Sequence, residues 1–179
     1  MNVDIVAAAG HRMALQLFRR LPVKARRQVV RTVAPTYSVG AITVLEHRDR
    51  PEVLLVRQSY RQRWGLPGGL LERSEAPIDA VRREVVEEIG LDTEIVSEPA
   101  LVCEPYARRI DIVYRAKPAV WADAEHVAPA SAEITEVRWF PTASLPELQH
   151  ETYLALDALA RQHPDMAAWV PKHPTGPKR

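Results

Sequence analysis

Apolar positions near the start of the chain repeat with the spacing of a helix. Met13, Ala14, Leu17, Phe18 and Leu21 fall at i, i+1, i+4, i+5 and i+8 within a helical pattern that starts near His11, and these positions share one helix face. Pro22 interrupts the pattern, because proline removes a helical hydrogen bond. The segment from Ala25 to Val33 predicts a second short turn or helix, which Pro35 closes.

Runs of β-branched and aliphatic residues dominate the next part of the chain and predict strands. The polar stretch His47–Pro51 reads as a turn, so we expect the strands on either side of it to pair as a hairpin. The predicted strands are Tyr37–Leu45, Glu52–Arg57, Leu91–Cys103, Ile110–Ala116 and Glu136–Phe140.

Two further helices are predicted, over Pro77–Ile89 and His150–Gln162. Pro77 suits a first helical turn, where its missing N–H needs no partner, and Gly90 suits the left-handed residue that ends a helix. Trp64–Gly69 and Pro118–Ala132 are predicted as connections. The pattern therefore predicts an α/β protein with a helical appendage over 1–35, a main domain over 36–163 and a loose tail over 164–179.

Charge is nearly balanced along the chain as a whole but not near its start. The net charge is +1 over 179 residues, which indicates no general attraction to nucleic acid or membranes. Between residues 12 and 31, however, basic residues occur without any acid, which is typical of a solvated helix face or of a polyanion-binding patch. These basic residues are Arg12, Arg19, Arg20, Lys24, Arg26, Arg27 and Arg31.

Targeting and cysteine patterns give further expectations. No apolar run is long enough to span a bilayer, and the first residues lack the pattern of a signal peptide. We expect a cytoplasmic protein without a membrane or nucleic-acid partner, and a homodimer is left open. Cys103 is the single cysteine, which excludes an intrachain disulfide, and we expect it to be a small core residue.

The predicted helix Pro77–Ile89 concentrates acidic side chains at its end. Glu84, Glu87 and Glu88 are spaced at i, i+3 and i+4, where like charges repel by roughly 0.2–0.5 kcal/mol per pair. The helix dipole also disfavours acids in the last turn. A local rule broken in this concentrated way indicates a functional site. Mg²⁺ would turn the repulsion into coordination, because it prefers carboxylate and water oxygens.

These acids belong to a longer fixed pattern. It reads Gly69, five residues, Glu75, seven residues, and then Arg-Glu-Val-Val-Glu-Glu-Ile-Gly-Leu from Arg83 to Leu91. This segment resembles a complete Nudix box, and the preceding Leu-Pro-Gly-Gly from residue 66 is also similar to the family's pattern. The order of predicted strands extends the resemblance over about residues 37–163.

The resemblance implies a Nudix-type α/β/α sandwich, in which a mixed β-sheet lies between helices and the main domain is a Nudix hydrolase domain. Metal ligands would be Glu84, Glu87 and Glu88 together with a backbone carbonyl of Gly68 or Gly69. The implied cofactor is Mg²⁺, with Mn²⁺ as a substitute. Arg83 and Glu75 would orient the carboxylates.

The implied activity is hydrolysis of a diphosphate linkage in a small nucleotide by attack of water. In the family the base that takes the proton from water is a box glutamate or an acid before a later strand. Glu133 is similar in placement to the second kind, and Glu136 is the next choice. The predicted catalytic residues are therefore Arg83, Glu87, Glu88 and Glu133.

The substrate is predicted from residues outside the box. Arg57, Arg61 and Arg63 could grip phosphate, because guanidinium groups suit it, and Arg108 and Arg109 are further candidates. Tyr60, Tyr106, Trp121 and Trp139 could stack on a base, although Trp139 suits the core. Pro105 and Tyr106 are similar in position to residues of family members that act on ADP-ribose or dinucleoside polyphosphates, which slightly favours an ADP-ribose-like substrate.

Alternative functions stay open at this point. Oxidised nucleoside triphosphates and sugar nucleotides are alternative substrates for hydrolysis. A prenyl-diphosphate isomerase would have an altered box and a catalytic Cys103. A non-hydrolytic nucleotide-binding module would have lost box glutamates, and this sequence retains them all.

Overall fold

The computed structural model describes residues 13–171, and the chain divides into two compact units, Met1–Tyr37 and Ser38–Arg179. In the first unit, residues 13–20 form helix α1 and Val23–Val33 form helix α2. Pro22 separates the two helices and caps α2, where its carbonyl accepts a hydrogen bond from the Arg26 N–H at 3.0 Å. The two predicted helices are thus confirmed, although α2 begins two residues earlier than expected and residues 11 and 12 lie outside the described range.

A mixed sheet of five strands forms the centre of the second unit. Its strand order is β3-β1-β6-β4, and β5 also pairs with β6. β1 and β6 run parallel, and the other pairings are antiparallel. The strands are β1 (Ser38–Leu45), β3 (Gly68–Leu70), β4 (Thr93–Ile95), β5 (Ala100–Glu104) and β6 (Arg109–Pro118).

A separate two-stranded sheet joins β2 (Glu52–Gln58) to β7 (Ile134–Pro141). The predicted hairpin between the first two strands is therefore wrong, since only an isolated bridge between Glu46 and Val53 links them. Both edges of β1 are occupied by β3 and β6, so β2 has no edge there to pair with.

Other boundaries also differ from the expected ones. The segment Leu91–Cys103 forms two strands rather than one, and the loop before the acidic helix contributes β3. The connection Pro118–Ala132 contains a short helix, α4 (Trp121–Ala124). These pieces are three to five residues long, which is too short for a clear periodic pattern.

Both long helices of the second unit have their predicted bounds: α3 spans Pro77–Ile89 and α5 spans His150–Gln162. Gly90 ends α3 with φ 68°, a left-handed conformation that glycine adopts without strain. After α5 the chain forms a 3₁₀ helix, Pro164–Trp169, and Met166 within it is fully buried. Residues 164–169 are therefore packed against the core, contrary to the expected loose tail, because Met166 fills a space beside α5.

The core has two main faces. Val44, Leu55, Leu156 and Leu159 pack with Met166 in one cluster that includes α5. A second cluster contains Val85 and Ile89 of α3 together with Leu45 and Leu54. These two strand residues directly follow or precede Val44 and Leu55, which belong to the first cluster. Since successive strand residues point to opposite faces, the strands are covered by helices on both sides. The architecture is the predicted α/β/α sandwich.

Cys103 lies on β5, whose residues alternate between buried and exposed positions. Val102 is buried, whereas Cys103 is exposed. The expectation of a core cysteine is therefore wrong, because one face of this strand is open to solvent. Trp139, in contrast, is half-buried within the second cluster and donates from its indole nitrogen to the Ala124 carbonyl at 3.1 Å.

Between residues 13 and 171, no helix is both long enough and apolar enough to cross a membrane.

Candidate active site

The acidic end of α3 lies directly against the loop that precedes it. Val81, Val85 and Ile89 are buried on a neighbouring face of the helix, which Glu88 adjoins. Glu88 is only 6% exposed and accepts a hydrogen bond from the Gly68 N–H at 3.1 Å. At Gly69 a Cβ atom would collide with the Glu84 carboxylate, so a side chain here would displace this carboxylate.

Negative charges are crowded at this place. Burial raises the pKa of Glu88 to about 8, with further contributions from Glu84 and Glu133, although the Gly68 N–H opposes the shift. Burial also raises the pKa of Glu84, against the attraction of Arg83. A strongly perturbed carboxyl in a cleft is typical of a functional site.

Arg83 connects the acids of the box. Its guanidinium donates to both Glu75 oxygens at 2.8 and 3.0 Å, to Glu84 at 2.9 Å, to Glu87 at 3.1 Å and to the Leu70 carbonyl at 3.2 Å. These hydrogen bonds lower the pKa of Glu75 to about 2 and raise the pKa of Arg83 above its usual range. Arg83 therefore holds the loop, Glu75 and the acidic helix together.

The predicted metal ligands do not form a ready cluster. Among residues 13–171, no three side chains of His, Cys, Asp or Glu are arranged so that they could hold a metal ion. Instead, Arg83 donates to Glu84 and Glu87, and the Gly68 N–H donates to Glu88. The carboxylate oxygens at this end of the helix nevertheless suit a hard divalent cation by their chemistry.

A cavity of about 530 Å³ adjoins the acidic end of α3. Of the predicted site residues, Arg61, Gly69, Arg83, Glu84, Glu88 and Glu133 line it. Tyr60 and Arg109, which were further candidates, line it as well. The cavity thus combines several carboxylates with three guanidinium groups, a lining suited to a phosphorylated substrate with its counter-ions.

The first turn of α5 forms another wall of this cavity through Gln149, Glu151 and Thr152. The Thr152 hydroxyl accepts the Leu66 N–H at 3.1 Å, and the Gln149 amide donates to the Arg63 carbonyl at 3.1 Å. These contacts fix α5 to the loop that leads into the box.

Each cavity arginine outside the box has a carboxylate partner. Arg61 donates to Glu151 at 3.3 Å, and Arg109 donates its Nε–H to both oxygens of Asp111 at 2.9 and 2.8 Å. Burial raises the pKa of Glu151, but its own backbone N–H and Arg61 outweigh this effect, so the pKa lies below its ordinary value. Within the described residues, the two terminal amino groups of Arg109 donate no hydrogen bond.

Several predicted residues lie elsewhere. Arg57 pairs with Glu136 at 3.2 Å and stacks on Trp64, and Arg63 pairs with Glu147 at 3.6 Å. Neither arginine lines the cavity, and Glu136 does not either. Glu87 is held at the rim by Arg83 and is also absent from the lining.

The turn between β5 and β6 also lies outside the cavity lining. It contains Pro105 and the fully exposed Tyr106. Cys103, on the strand before it, does not contribute to the lining either. The positional similarity of Pro105 and Tyr106, on which the preference for ADP-ribose depended, therefore has no counterpart in the cavity.

Glu133, the predicted catalytic residue outside the box, lines the cavity. Its carbonyl accepts the Ser59 N–H at 2.7 Å, which ties its loop to the end of β2. Its charge raises the pKa of Glu88 and, after burial, that of Tyr60. An acid outside the box is thus within electrostatic reach of the box glutamates.

No sequence pattern indicated Glu151, Asp111, Gln149 or Thr152. Glu151 is an acid in the first turn of a helix. Acids are common there because their charge complements the helix dipole, so its position did not indicate a functional role. Asp111 was a polar position in a β-rich run, and it is almost fully buried. A charged residue inside an otherwise apolar strand was the available clue.

A cavity with this lining, between the helices of an α/β/α sandwich, defines a hydrolase acting on phosphate anhydrides. The family model of the NUDIX domain matches residues 34–169. The chain therefore belongs to the NUDIX family of hydrolases.

Three similar proteins support this assignment. A MutT-like protein from Streptomyces ambofaciens is 31% identical over 144 residues, which cover 79% of this chain and 90% of that protein. The human 8-oxo-dGDP phosphatase NUDT18 is 32% identical over 158 residues, 86% of this chain but only 44% of that protein. The crystal structure of a NUDIX hydrolase from Nitrosomonas europaea aligns with a TM-score of 0.60 at 25% identity, covering 72% of this chain and 73% of that one.

Proposed function

We propose that this protein hydrolyses the diphosphate linkage of a nucleoside diphosphate derivative, with Mg²⁺ as cofactor and Mn²⁺ as a substitute. The observation that carries the proposal is the buried Glu88 carboxyl, which shares a cavity wall with Glu84 and Glu133. A small nucleotide is the proposed partner. Cytoplasmic location and a homodimer remain expectations from the sequence.

Glu84, Glu87 and Glu88 would hold the cation together with the Gly69 carbonyl. When bound, a divalent cation neutralises phosphate charge and makes a water molecule more acidic. Arg83 positions Glu84 and Glu87 by direct hydrogen bonds, and Glu75 holds Arg83 in turn. Arg83 is accordingly a positioning residue.

Glu133 is proposed as the base that takes the proton from the attacking water. The position of Glu133 supports it over Glu136, because Glu133 lines the cavity and Glu136 does not. Glu136 is instead engaged by ion pairs with Arg57 and Arg138 at 3.2 Å each.

Arg61 and Arg109 are proposed to bind the phosphates. Asp111 fixes the Arg109 guanidinium through Nε and leaves both terminal amino groups for oxygen atoms. A planar guanidinium held in this way suits phosphate recognition. Tyr60, which lines the cavity and is 65% exposed, is proposed to stack on the base.

Two substrates are proposed for the first test. ADP-ribose follows from the family resemblance of the sequence. An oxidised guanine nucleotide such as 8-oxo-dGDP is favoured by the similarity to the human 8-oxo-dGDP phosphatase, which extends over 86% of this chain. Both contain a diphosphate, so hydrolysis of the diphosphate linkage applies to either substrate.

The two non-hydrolytic alternatives find no support. An isomerase that uses Cys103 would need this thiol beside the substrate, and Cys103 does not line the cavity. A module that only binds nucleotides would not need the three box glutamates that crowd the end of α3.

The test is a panel of nucleotides incubated with Mg²⁺ and with excess chelator, with products identified by mass. We expect AMP and ribose 5-phosphate from ADP-ribose, or a nucleoside monophosphate and phosphate from 8-oxo-dGDP. Activity should vanish with chelator and return with Mg²⁺ or Mn²⁺. Full turnover in chelator, or no turnover of any diphosphate, would overturn the proposal.

A further inference from the structure

The N-terminal helical unit, α1 and α2, exposes apolar and basic side chains together. On α1, Met13 and Leu17 share one face and are 72% and 66% exposed. On α2, Lys24, Arg27 and Arg31 share one face at 100° per residue, and Val29 lies on the opposite one. The exposed aliphatic residues of the unit are Met13, Leu15, Leu17, Val23, Val29 and Val30.

A groove of about 480 Å³ crosses this unit. Phe18, Val23 and Val30 line it together with three arginines, Arg26, Arg27 and Arg31. The Nε atom of Arg26 is buried without a hydrogen-bond partner among the described residues. An unsatisfied guanidinium beside apolar side chains suits an amphiphilic anion, since a buried donor without a partner costs free energy.

The positive charge of this unit is not compensated locally. The sequence contains no Asp or Glu from Ile5 to Leu45. No Lys or Arg side chain between Arg19 and Arg31 forms an ion pair with another described residue of this unit. In the second unit, by contrast, Arg61, Arg83 and Arg109 each pair with a carboxylate. The unit therefore has cations available for an external partner.

We propose that the N-terminal helical unit docks on an anionic lipid bilayer. Its helices lie along the surface, with the exposed leucines and valines at the boundary of the acyl chains. Arginine and lysine side chains extend to the phosphates of the headgroups. The groove holds one headgroup phosphate near Arg26, and its apolar lining contacts the adjoining chain.

Charge argues against a second copy of this unit as the occupant. Two such units would bring their cations together without any acid to pair with them. Nucleic acid would satisfy the arginines, but phosphate contacts gain nothing from the exposed leucines and valines. Only a lipid surface uses both properties.

The balanced charge of the chain had suggested that no membrane partner exists. The exposed aliphatic side chains change this expectation, because a basic helix that only faces solvent would carry polar residues at these positions. Docking here is independent of the hydrolysis proposed for the second unit, and each can fail without the other.

The test is co-sedimentation of the full chain with vesicles of pure phosphatidylcholine and of phosphatidylcholine mixed with phosphatidylserine. We expect binding to the mixed vesicles alone, and a decrease as salt is raised. Absence of binding to the mixed vesicles, or equal binding to both kinds, would overturn the proposal.

Variants separate the two contributions. Lys24→Gln/Arg27→Gln/Arg31→Gln should weaken binding to mixed vesicles about a hundredfold, because each cation near such a surface contributes roughly fivefold. The matched control Arg48→Gln/Lys117→Gln/Arg161→Gln removes the same charge from exposed positions of the second unit, and it should bind like the parent. Equal loss in both triples would show a general charge effect and contradict the proposal.

Met13→Ser/Leu17→Ser tests the apolar contribution. It should weaken vesicle binding at least tenfold while hydrolysis of a soluble nucleotide is unchanged, which also shows that the protein is folded. Parent-like vesicle binding by this variant would overturn the proposal. Two further outcomes would also overturn the proposal. One is tight binding of a homopolymer RNA by the parent and the variant, with no vesicle binding by either. The other is a parent that is dimeric while the variant is monomeric.

Discussion

Glu88 is the residue at which burial and charge conflict most strongly. Burial raises its pKa to about 8 from an ordinary value of 4.5. A carboxyl with a raised pKa destabilises the metal-free folded state progressively as pH rises from 4.5 to about 8, and fully above that range. The position of Glu88 at the cavity therefore lowers the free energy of unfolding of the metal-free protein.

Glu88→Gln should remove this cost and keep an oxygen to accept the Gly68 N–H. We expect the metal-free variant to match the parent below pH 4.5, where Glu88 is protonated in both states. Above pH 8 it should be more stable by on the order of a few kcal/mol. Denaturant unfolding across this pH range measures the difference, and a gap that does not change with pH would contradict the assignment.

Glu133→Gln should lower kcat by roughly 10² to 10⁴ with little change in KM, because a lost base affects the chemical step. The Mg²⁺ requirement should stay the same. Glu136→Gln is the matched control, an acid three residues further along that does not line the cavity. Steady-state kinetics of both variants decide: the reverse order would make Glu136 the base, and parent-like rates for both would assign the role to a box glutamate.

Arg109→Lys keeps the charge but loses the planar pair of amino groups. We expect KM to rise roughly ten- to a hundredfold, since a charge-assisted hydrogen bond contributes about 1.5–3 kcal/mol. Arg63→Lys, outside the cavity, should have the KM of the parent. Equal KM values for the parent and Arg109→Lys would exclude Arg109 from phosphate binding.

At the scale of elements, the sequence predicted the helices that have an apolar periodicity over several turns and residues that mark where the helix begins or ends. The bounds of α3 followed from Pro77 and Gly90, and those of α5 from its apolar spacing. The partners of β1 and β2 were not predictable, because both strands are apolar on two faces and their pattern says nothing about which edge is free. Pairing depends instead on the short strand β3 and on β6 and β7, which lie far along the chain.

In the candidate site, too, residues were predictable only where a local sequence pattern encodes their position. Box residues such as Glu84 and Glu88 were predictable, since their roles are encoded within one helix and its loop. Arg109 and Glu151 reach the cavity through strand pairing and helix docking, and Asp111 holds Arg109 there. No local pattern distinguishes these residues. Arg57 and Arg63 illustrate the reverse error, because closeness to the box in sequence did not place them in the cavity.

The 3₁₀ helix after α5 provides a test of packing at this scale. Met166→Ala should lower the free energy of unfolding by roughly 2–5 kcal/mol, because Met166 is fully buried. Met13→Ala, at an exposed position, should change it by less than about 0.5 kcal/mol. Chemical denaturation of both variants gives the comparison, and equal effects would mean that the segment 164–169 contributes no stability.

At the scale of the whole molecule, ligand binding should be visible as stability. Mg²⁺ with the nucleoside monophosphate product should raise Tm, since a ligand at a hundred times its Kd stabilises by about 2.7 kcal/mol. Glu84→Gln/Glu88→Gln should lose this shift. Glu147→Gln, which neutralises an exposed acid outside the cavity, should retain it, and a shift that persists in the first variant would place the cation elsewhere.

The distance along the chain between the box and the other cavity walls has a consequence for synthesis. A nascent chain that has just exposed Leu91 carries the entire acidic motif, yet β1 still lacks β6 and β2 still lacks β7. The wall formed by Glu151 and Thr152 follows some sixty residues later. A ribosome arrested between these points would hold the complete box without the full cavity around it, so catalytic competence is acquired only after Thr152 has emerged.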